Sequence, residues 1–270
     1  MIALGKLVFV GLGLQDERGI SLRGIDEIRK VDVVFAEFYT NLMAGISFER
    51  LERLIGKRVS IVSRRALENE SGKLILQSAM KEKVALLVPG DPLIATTHIE
   101  LRIRAEKMGI KTHIIHGASI VSAVIGLTGL QNYKYGRSVT IPFSEDKLFS
   151  ETPYRVIMEN RERGLHTLCF LDVEAEEKRY MTINEGLHLL LSMEKRMKRR
   201  VITLNTLVVG IARAGSDNPT VKAGYIKEVI THEFGAPPQS LVFPGKLHFM
   251  EVEALITFAE APRQLKEITK

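Results

Sequence analysis

Cysteine is almost missing from this sequence: Cys169 is the single one in 270 residues. A disulfide within the chain is therefore excluded, and so is a zinc site built on cysteines. Cys169 lies in the apolar run Leu168-Cys169-Phe170-Leu171 and reads as a small buried hydrophobe. The seven histidines follow no metal-ligand spacing, and no metal is expected. No apolar run approaches the roughly 20 residues of a membrane-spanning helix, so no membrane is expected as a partner. The opening residues, Met1 to Lys6, read as entering a strand directly, without a signal-peptide layout. A cytoplasmic protein is the expectation. No fixed-period repeat is present. Basic residues outnumber acidic ones by 38 to 32, a net charge of +6, but they are scattered, which argues against nucleic acid as a partner. The densest cluster, Lys195 to Arg200, continues a helical pattern and suits a helix end through the macrodipole. No aromatics interleave with it, as single-strand binding would need.

Several catalytic signatures are absent too. There is no Gly-Lys-Ser/Thr phosphate loop, no Gly-x-Ser-x-Gly elbow and no His-Glu-x-x-His helix. Gly11-Leu12-Gly13 follows a first strand, and Glu37 follows the second, which together imitate a dinucleotide fingerprint. The third glycine would fall at position 16, which is Asp16, and the helix starts later, near Ser21.

What is present is an ordinary globular composition, 45% hydrophobic and 26% charged, in a length that suits two domains. Short apolar runs alternate with amphipathic stretches from Lys6 to Ile115, which predicts strands alternating with helices in a mostly parallel sheet covered on both faces. Ser21 can cap a helix carrying Leu22, Ile25 and Ile28, and Thr182-Ile183-Asn184-Glu185 is a capping box. After Gly117 the pattern loosens, and strands are predicted near 138–141, 167–171, 206–211 and 241–243. The expected division is an N-terminal α/β domain, 1–117, and a C-terminal α/β domain, 118–270.

The stretch from Ala85 to His98 orders the first half. Its apolar run reads as a buried strand stopped by Pro89-Gly90-Asp91-Pro92. Asp91 suits an N-cap and Pro92 the first position of the next helix, read as running from about Ala95 to Met108. The same turn would lie at the carboxyl end of a strand, where open α/β sheets bind ligands, and Asp91 would offer carboxylate oxygens there. Strand ends, most of them marked by glycine, recur at 11–14, 89–92, 116–119, 171–172 and 212–216. Each could be a plain turn, and together they could converge on one site.

Five motifs carry a more specific signal. Phe35-Ala36-Glu37-Phe38-Tyr39-Thr40, Pro89-Gly90-Asp91-Pro92, Ala95-Thr96-Thr97-His98, Gly164-Leu165-His166-Thr167 and Pro244-Gly245-Lys246-Leu247-His248 span nearly the whole chain. They resemble the diphthine synthase group, in its archaeal form, of the tetrapyrrole-methylase-like S-adenosylmethionine-dependent methyltransferases. The resemblance implies two α/β domains of the tetrapyrrole-methylase type with the cofactor cleft between them, and a homodimer. It implies methylation of translation elongation factor 2, at the amino group of a 3-amino-3-carboxypropyl-histidine, to the trimethylated product in diphthamide biosynthesis. Carried over by motif, S-adenosyl-L-methionine contacts fall on Leu14, Asp91, Ile94, Ser119, Ile120, Leu171, Ala214 and Gln239. Gln239 stands where relatives are expected to have histidine, which suggests a backbone contact.

Methyl transfer from a sulfonium to an amine needs orientation and exclusion of water more than a nucleophilic side chain. The amine must be neutral to attack, but the sequence singles out no base, and no catalytic residue is named. Glu37, Phe38 and Tyr39 are candidates to face the cationic product, beside their reading as an ordinary strand end. Within the family, the competing activity is that of a precorrin-type tetrapyrrole methyltransferase. Outside it, the sequence leaves open an NAD-dependent oxidoreductase and a non-catalytic binding protein on the same scaffold.

Overall fold

The computed structural model describes residues 5–144 and 150–267. Residues 1–4, part of the stretch expected to enter the first strand, lie outside the described residues. The chain forms two compact units: Met1–Ile120 with Ala175–Glu177, and Val121–Glu174 with Lys178–Lys270.

The first unit runs β1 (Lys6–Gly11), α1 (Leu22–Arg29), β2 (Val33–Ala36), α2 (Phe48–Ile55), β3 (Ser60–Ile61), α3 (Lys73–Ala79), β4 (Lys83–Val88), α4 (His98–Lys107) and β5 (Lys111–Ile115). The strands form one parallel sheet in the order β3-β2-β4-β1-β5. Alternate residues go to opposite faces of a strand. Val8, Val10, Val34, Ala36, Ala85 and Leu87 pack with Ile25 and Ile28 of α1 and Leu51 and Ile55 of α2. Leu7, Phe9, Phe35, Val84, Leu86 and Val88 pack with Ile75 and Leu76 of α3 and Leu101 and Ala105 of α4. Both faces are thus covered, which is why β4 reads as a continuous apolar run. Ser21 caps α1 as its sequence suggests, its Oγ accepting from Gly24 N at 3.1 Å.

The second unit begins with α5 (Ile120–Thr128), continuous with the end of the first, then β6 (Val139–Ile141), α6 (Thr152–Glu162) and β7 (Thr167–Leu171). A short hairpin, β8 (Val173–Glu174) and β9 (Arg179–Tyr180), leads to α7 (Ile183–Met197). β10 (Leu207–Ala212), β11 (Thr220–Tyr225), α8 (Ile226–Val229), β12 (Gln239–Phe243) and α9 (Phe249–Phe258) complete it. Its sheet, β11-β10-β12-β7-β6, is antiparallel except between β6 and β7. The mostly parallel expectation, drawn from Lys6 to Ile115, therefore holds for the first unit, and the second is mostly antiparallel. There β10 and β11 are joined without a helical crossover, so they pair antiparallel. Cys169 is fully buried in the core with Ile141, Leu187, Leu241 and Phe243, and burial pushes its thiol pKa up.

One local expectation fails. No helix starts at Pro92; residues 91–97 form turns, Ala95 takes a left-handed φ of 56°, and α4 begins only at His98. Asp91 caps a turn instead, its Oδ1 accepting from Leu93 N at 3.1 Å.

Candidate functional site

In the first unit, β1 and β4 are neighbours whose following helices lie on opposite faces of the sheet. The space past their carboxyl ends is a topological switch point, where open α/β sheets bind ligands. The two strand ends are fastened there by main-chain bonds. Gly90 N donates to Gly13 O at 2.7 Å, and Gly13 N to Gly90 O at 3.2 Å. The end of β5 joins them: a Cβ on Gly11 would stand 2.5 Å from Gly90 O and 2.6 Å from Gly117 N. Main chain touches main chain at all three strand ends, so glycine is required by contact. Gly90 differs. Its φ is 71°, and a Cβ there would meet nothing nearer than Ala118 O at 3.9 Å, so its outer side is open to a ligand.

The Asp91 carboxylate, 5% exposed, closes this arrangement. Oδ1 holds its own turn, and Oδ2 bonds Nδ1 of His116 at 2.7 Å, from the loop after β5. The bond passes over the end of β1, because β1 lies between β4 and β5 in the sheet. Leu14 follows β1, Ile94 follows β4, and Ser119 and Ile120 lead into α5. The structure thus gathers five of the eight candidate cofactor contacts past three adjacent strands. Ser119 is buried, while Ile94 keeps 39% of its surface exposed.

The remaining three fall in the second unit and at one end of its sheet. Leu171 ends β7, Gln239 starts β12, and Ala214 lies two residues past β10. Register puts them side by side, since Ser240 pairs with Phe170 and Ala212 with Gln239. The Gln239 side chain is already used. Its Oε1 accepts from Ile183 N at 2.8 Å, at the start of α7, and its Nε2 donates to Gly235 O at 2.7 Å. A further concavity of about 770 Å³, lined by Arg161, Tyr225, Lys246, His248 and Phe249 among others, contains none of the eight.

The remaining motifs pair off as two buried histidine–glutamate locks, one in each unit. Glu37 and His98 meet at 3.0 Å, both buried. Glu37 also accepts from Tyr39 N at 3.0 Å, Thr40 N at 3.1 Å and Thr40 Oγ1 at 2.6 Å. A carboxylate so engaged and wholly enclosed has no surface for a cationic product, so Glu37 ties β2 to α4 instead. In the second unit His166 Nε2 bonds Glu251 Oε1 at 2.8 Å, and His166 Nδ1 accepts from Gly245 N at 2.9 Å. Burial lowers the His166 pKa, with Glu251 opposing. Burial alone would raise Glu251, but Gln131 N, Lys134 Nζ, His248 N and His166 outweigh it and hold its pKa at about 2.

His116 is the residue that sequence reasoning misses. The available signal is a histidine set directly between a buried strand and a glycine. Its partner Asp91 lies 25 residues away, beyond any local spacing.

Comparison with known proteins gives the family. The diphthine synthase of Methanosarcina acetivorans is 48% identical, over 98% of this chain and 100% of that protein. That of Methanocella arvoryzae is 50% identical, over 92% and 96%. A crystal structure of diphthine synthase matches with a TM-score of 0.88 at 42% identity, covering 97% of this chain and 99% of that one. The profile of the Tetrapyrrole (Corrin/Porphyrin) Methylases matches residues 6–230. The chain belongs to the tetrapyrrole methylases, on their diphthine synthase branch. Like other tetrapyrrole methylases it is a methyltransferase that takes its methyl group from S-adenosylmethionine. The residues fit such a cofactor. The open side of Gly90 admits close approach, and Asp91 keeps acceptor capacity beyond its two bonds. No described helix is long and apolar enough to cross a membrane.

Proposed function

We propose that this tetrapyrrole methylase acts on translation elongation factor 2, methylating the amino group of a 3-amino-3-carboxypropyl-histidine to the trimethylated product. The observation that carries the reading is near-full-length similarity to proteins named diphthine synthase, together with a glycine-lined switch point suited to the cofactor. Bound S-adenosylmethionine supplies an electrophilic methyl group on a sulfonium. Leu14, Asp91, Ile94, Ser119, Ile120, Leu171, Ala214 and Gln239 are the residues proposed to hold it. Since the Gln239 side chain is engaged within the second unit, any contact it makes is through main chain. The chain's task is to orient the acceptor and exclude water. An amine methylated once or twice keeps a lone pair when unprotonated, so the same site serves each round. The quaternary product has none, which ends the series.

The enzyme is proposed to work in the cytoplasm as a homodimer, the two units corresponding to its two domains. Support for the dimer comes from α9, where Phe249, Met250 and Phe258 remain 55–61% exposed. The test is mass spectrometry of elongation factor 2 carrying the unmethylated arm, incubated with the protein and excess S-adenosylmethionine. A gain of three methyl groups on that residue is expected. A reaction that stops at one methyl, or that modifies only free porphyrinoids, contradicts it.

A further inference from the structure

Three histidines bond a buried carboxylate through one ring nitrogen, and they divide sharply by exposure. The side chains of His98 and His166 are 1% and 0% exposed, whereas that of His116 is 75% exposed. His166 uses both nitrogens, one on Glu251 and one on Gly245 N. His116 uses Nδ1 on Asp91 at 2.7 Å, and the rest of its ring faces outward beside the loops that carry Leu14, Ile94, Ser119 and Ile120.

The bond favours one tautomer. An ionised carboxylate only accepts, so Nδ1 carries the proton, and in neutral imidazole Nε2 is then a bare acceptor. Asp91 is the charged group bonded to the ring, and its own position is held by Leu93 N. A carboxylate-oriented histidine with a free Nε2 at the mouth of a ligand site is the arrangement a general base requires.

We propose that His116 is the base for methyl transfer and that Asp91 positions it; this rests on the amine-methylating function above. Nε2 takes one proton from the acceptor ammonium, and the freed nitrogen lone pair forms the new N–C bond. The C–S bond breaks with its electron pair passing to sulfur, which becomes a neutral thioether. The imidazolium then releases its proton to solvent through its exposed edge. Each of three methyl additions requires one such proton removal, so one group serves all three.

His116→Asn separates this role from loop fastening, because its amide can still donate to Asp91 but provides no base. We expect its turnover at saturating substrates to fall about a hundredfold or more, within the range of general-base effects. Cofactor affinity by calorimetry should stay within about threefold and melting temperature near that of the parent. The pH dependence of turnover should differ between parent and variant, because the variant lacks the imidazole base. Independently of activity, 15N spectra should show His116 protonated at Nδ1, with the Nε2 signal moving when unmethylated elongation factor 2 is added. Turnover within about threefold of the parent with the same pH profile overturns the proposal. So does a loss fully explained by weaker cofactor binding, or an Nε2-protonated ring. A parent protein that leaves the elongation factor unmodified overturns the functional reading first, and this proposal with it.

Discussion

At the scale of single residues, Asp91 does more than its sequence setting advertises. The Gly-Asp-Pro pattern marks it as a cap or a ligand, and the structure adds that it is a junction between the loops after β4 and β5. Asp91→Ala removes both bonds. If Asp91 also serves the cofactor, binding should weaken by about 1–3 kcal/mol, the range for charged hydrogen bonds. Folding should lose about 1 kcal/mol, as for other lost local caps. Calorimetric titration beside thermal melting separates the two, and unchanged affinity with a lowered melting point would leave only the structural role. The His166–Glu251 lock contributes to acid sensitivity. His166 has a folded pKa below its ordinary 6.5, so it contributes stability above that value and loses it as pH falls through 6.5 and lower. Glu251, held at about 2 against 4.5, contributes above 4.5 and loses its contribution as pH falls from there toward 2. Melting temperature should therefore decline steadily from pH 7.5 to pH 4. A flat curve between pH 7 and 5.5 would deny the histidine its part.

Among the elements, what can be read in the sequence is whatever announces itself locally. Ser21 before α1 and Thr182 before α7 are favoured capping residues, and both helices begin where those residues predict. The buried strands of the first unit are short apolar runs between turns, and they too are legible. α9 is not, because its cap is unusual: His248 Nδ1 accepts from Met250 N at 3.3 Å while Glu251 accepts from His248 N. β11 escapes as well, since Thr-Val-Lys-Ala-Gly-Tyr at a sheet edge carries too few apolar residues to stand out. His248→Ala should cost about 1 kcal/mol in urea unfolding, and His248→Ser should recover most of it. Equal stability of all three proteins would mean the imidazole contributes no cap.

For the whole molecule, alternation of strand and helix identifies the parallel sheet of the first unit but does not extend to the second. There the pairing of β10 with β11 and β12 depends on registers between residues far apart in sequence. The candidate site divides likewise. Leu14, Asp91 and Ser119 fall within glycine-marked strand ends, and Ile94 and Ile120 come only from the family resemblance, whereas the partnership of Asp91 with His116 and the engagement of Gln239 are tertiary facts. Self-association is a prediction at this scale. The protein should scatter light as a dimer at micromolar concentration, and Phe258→Glu on the exposed side of α9 should shift it toward the monomer. A parent protein already monomeric would remove the basis for that interface.

Main-chain contact among the ends of β1, β4 and β5 also bears on genetics. A methyl group added at Gly11 or Gly117 collides with peptide atoms, and no neighbouring residue can be trimmed to make room. A methyl group at Gly24 meets the side chains of Ile20 at 2.9 Å and Val10 at 3.1 Å, both of which can be shortened. Selection for restored function should therefore return second-site suppressors such as Ile20→Ala, which removes the contacting Cγ2, for Gly24→Ala, and for Gly117→Ala only reversion to glycine. The strand-end junction is in that sense a locus without compensating partners, and its sequence can drift only by loss of the site.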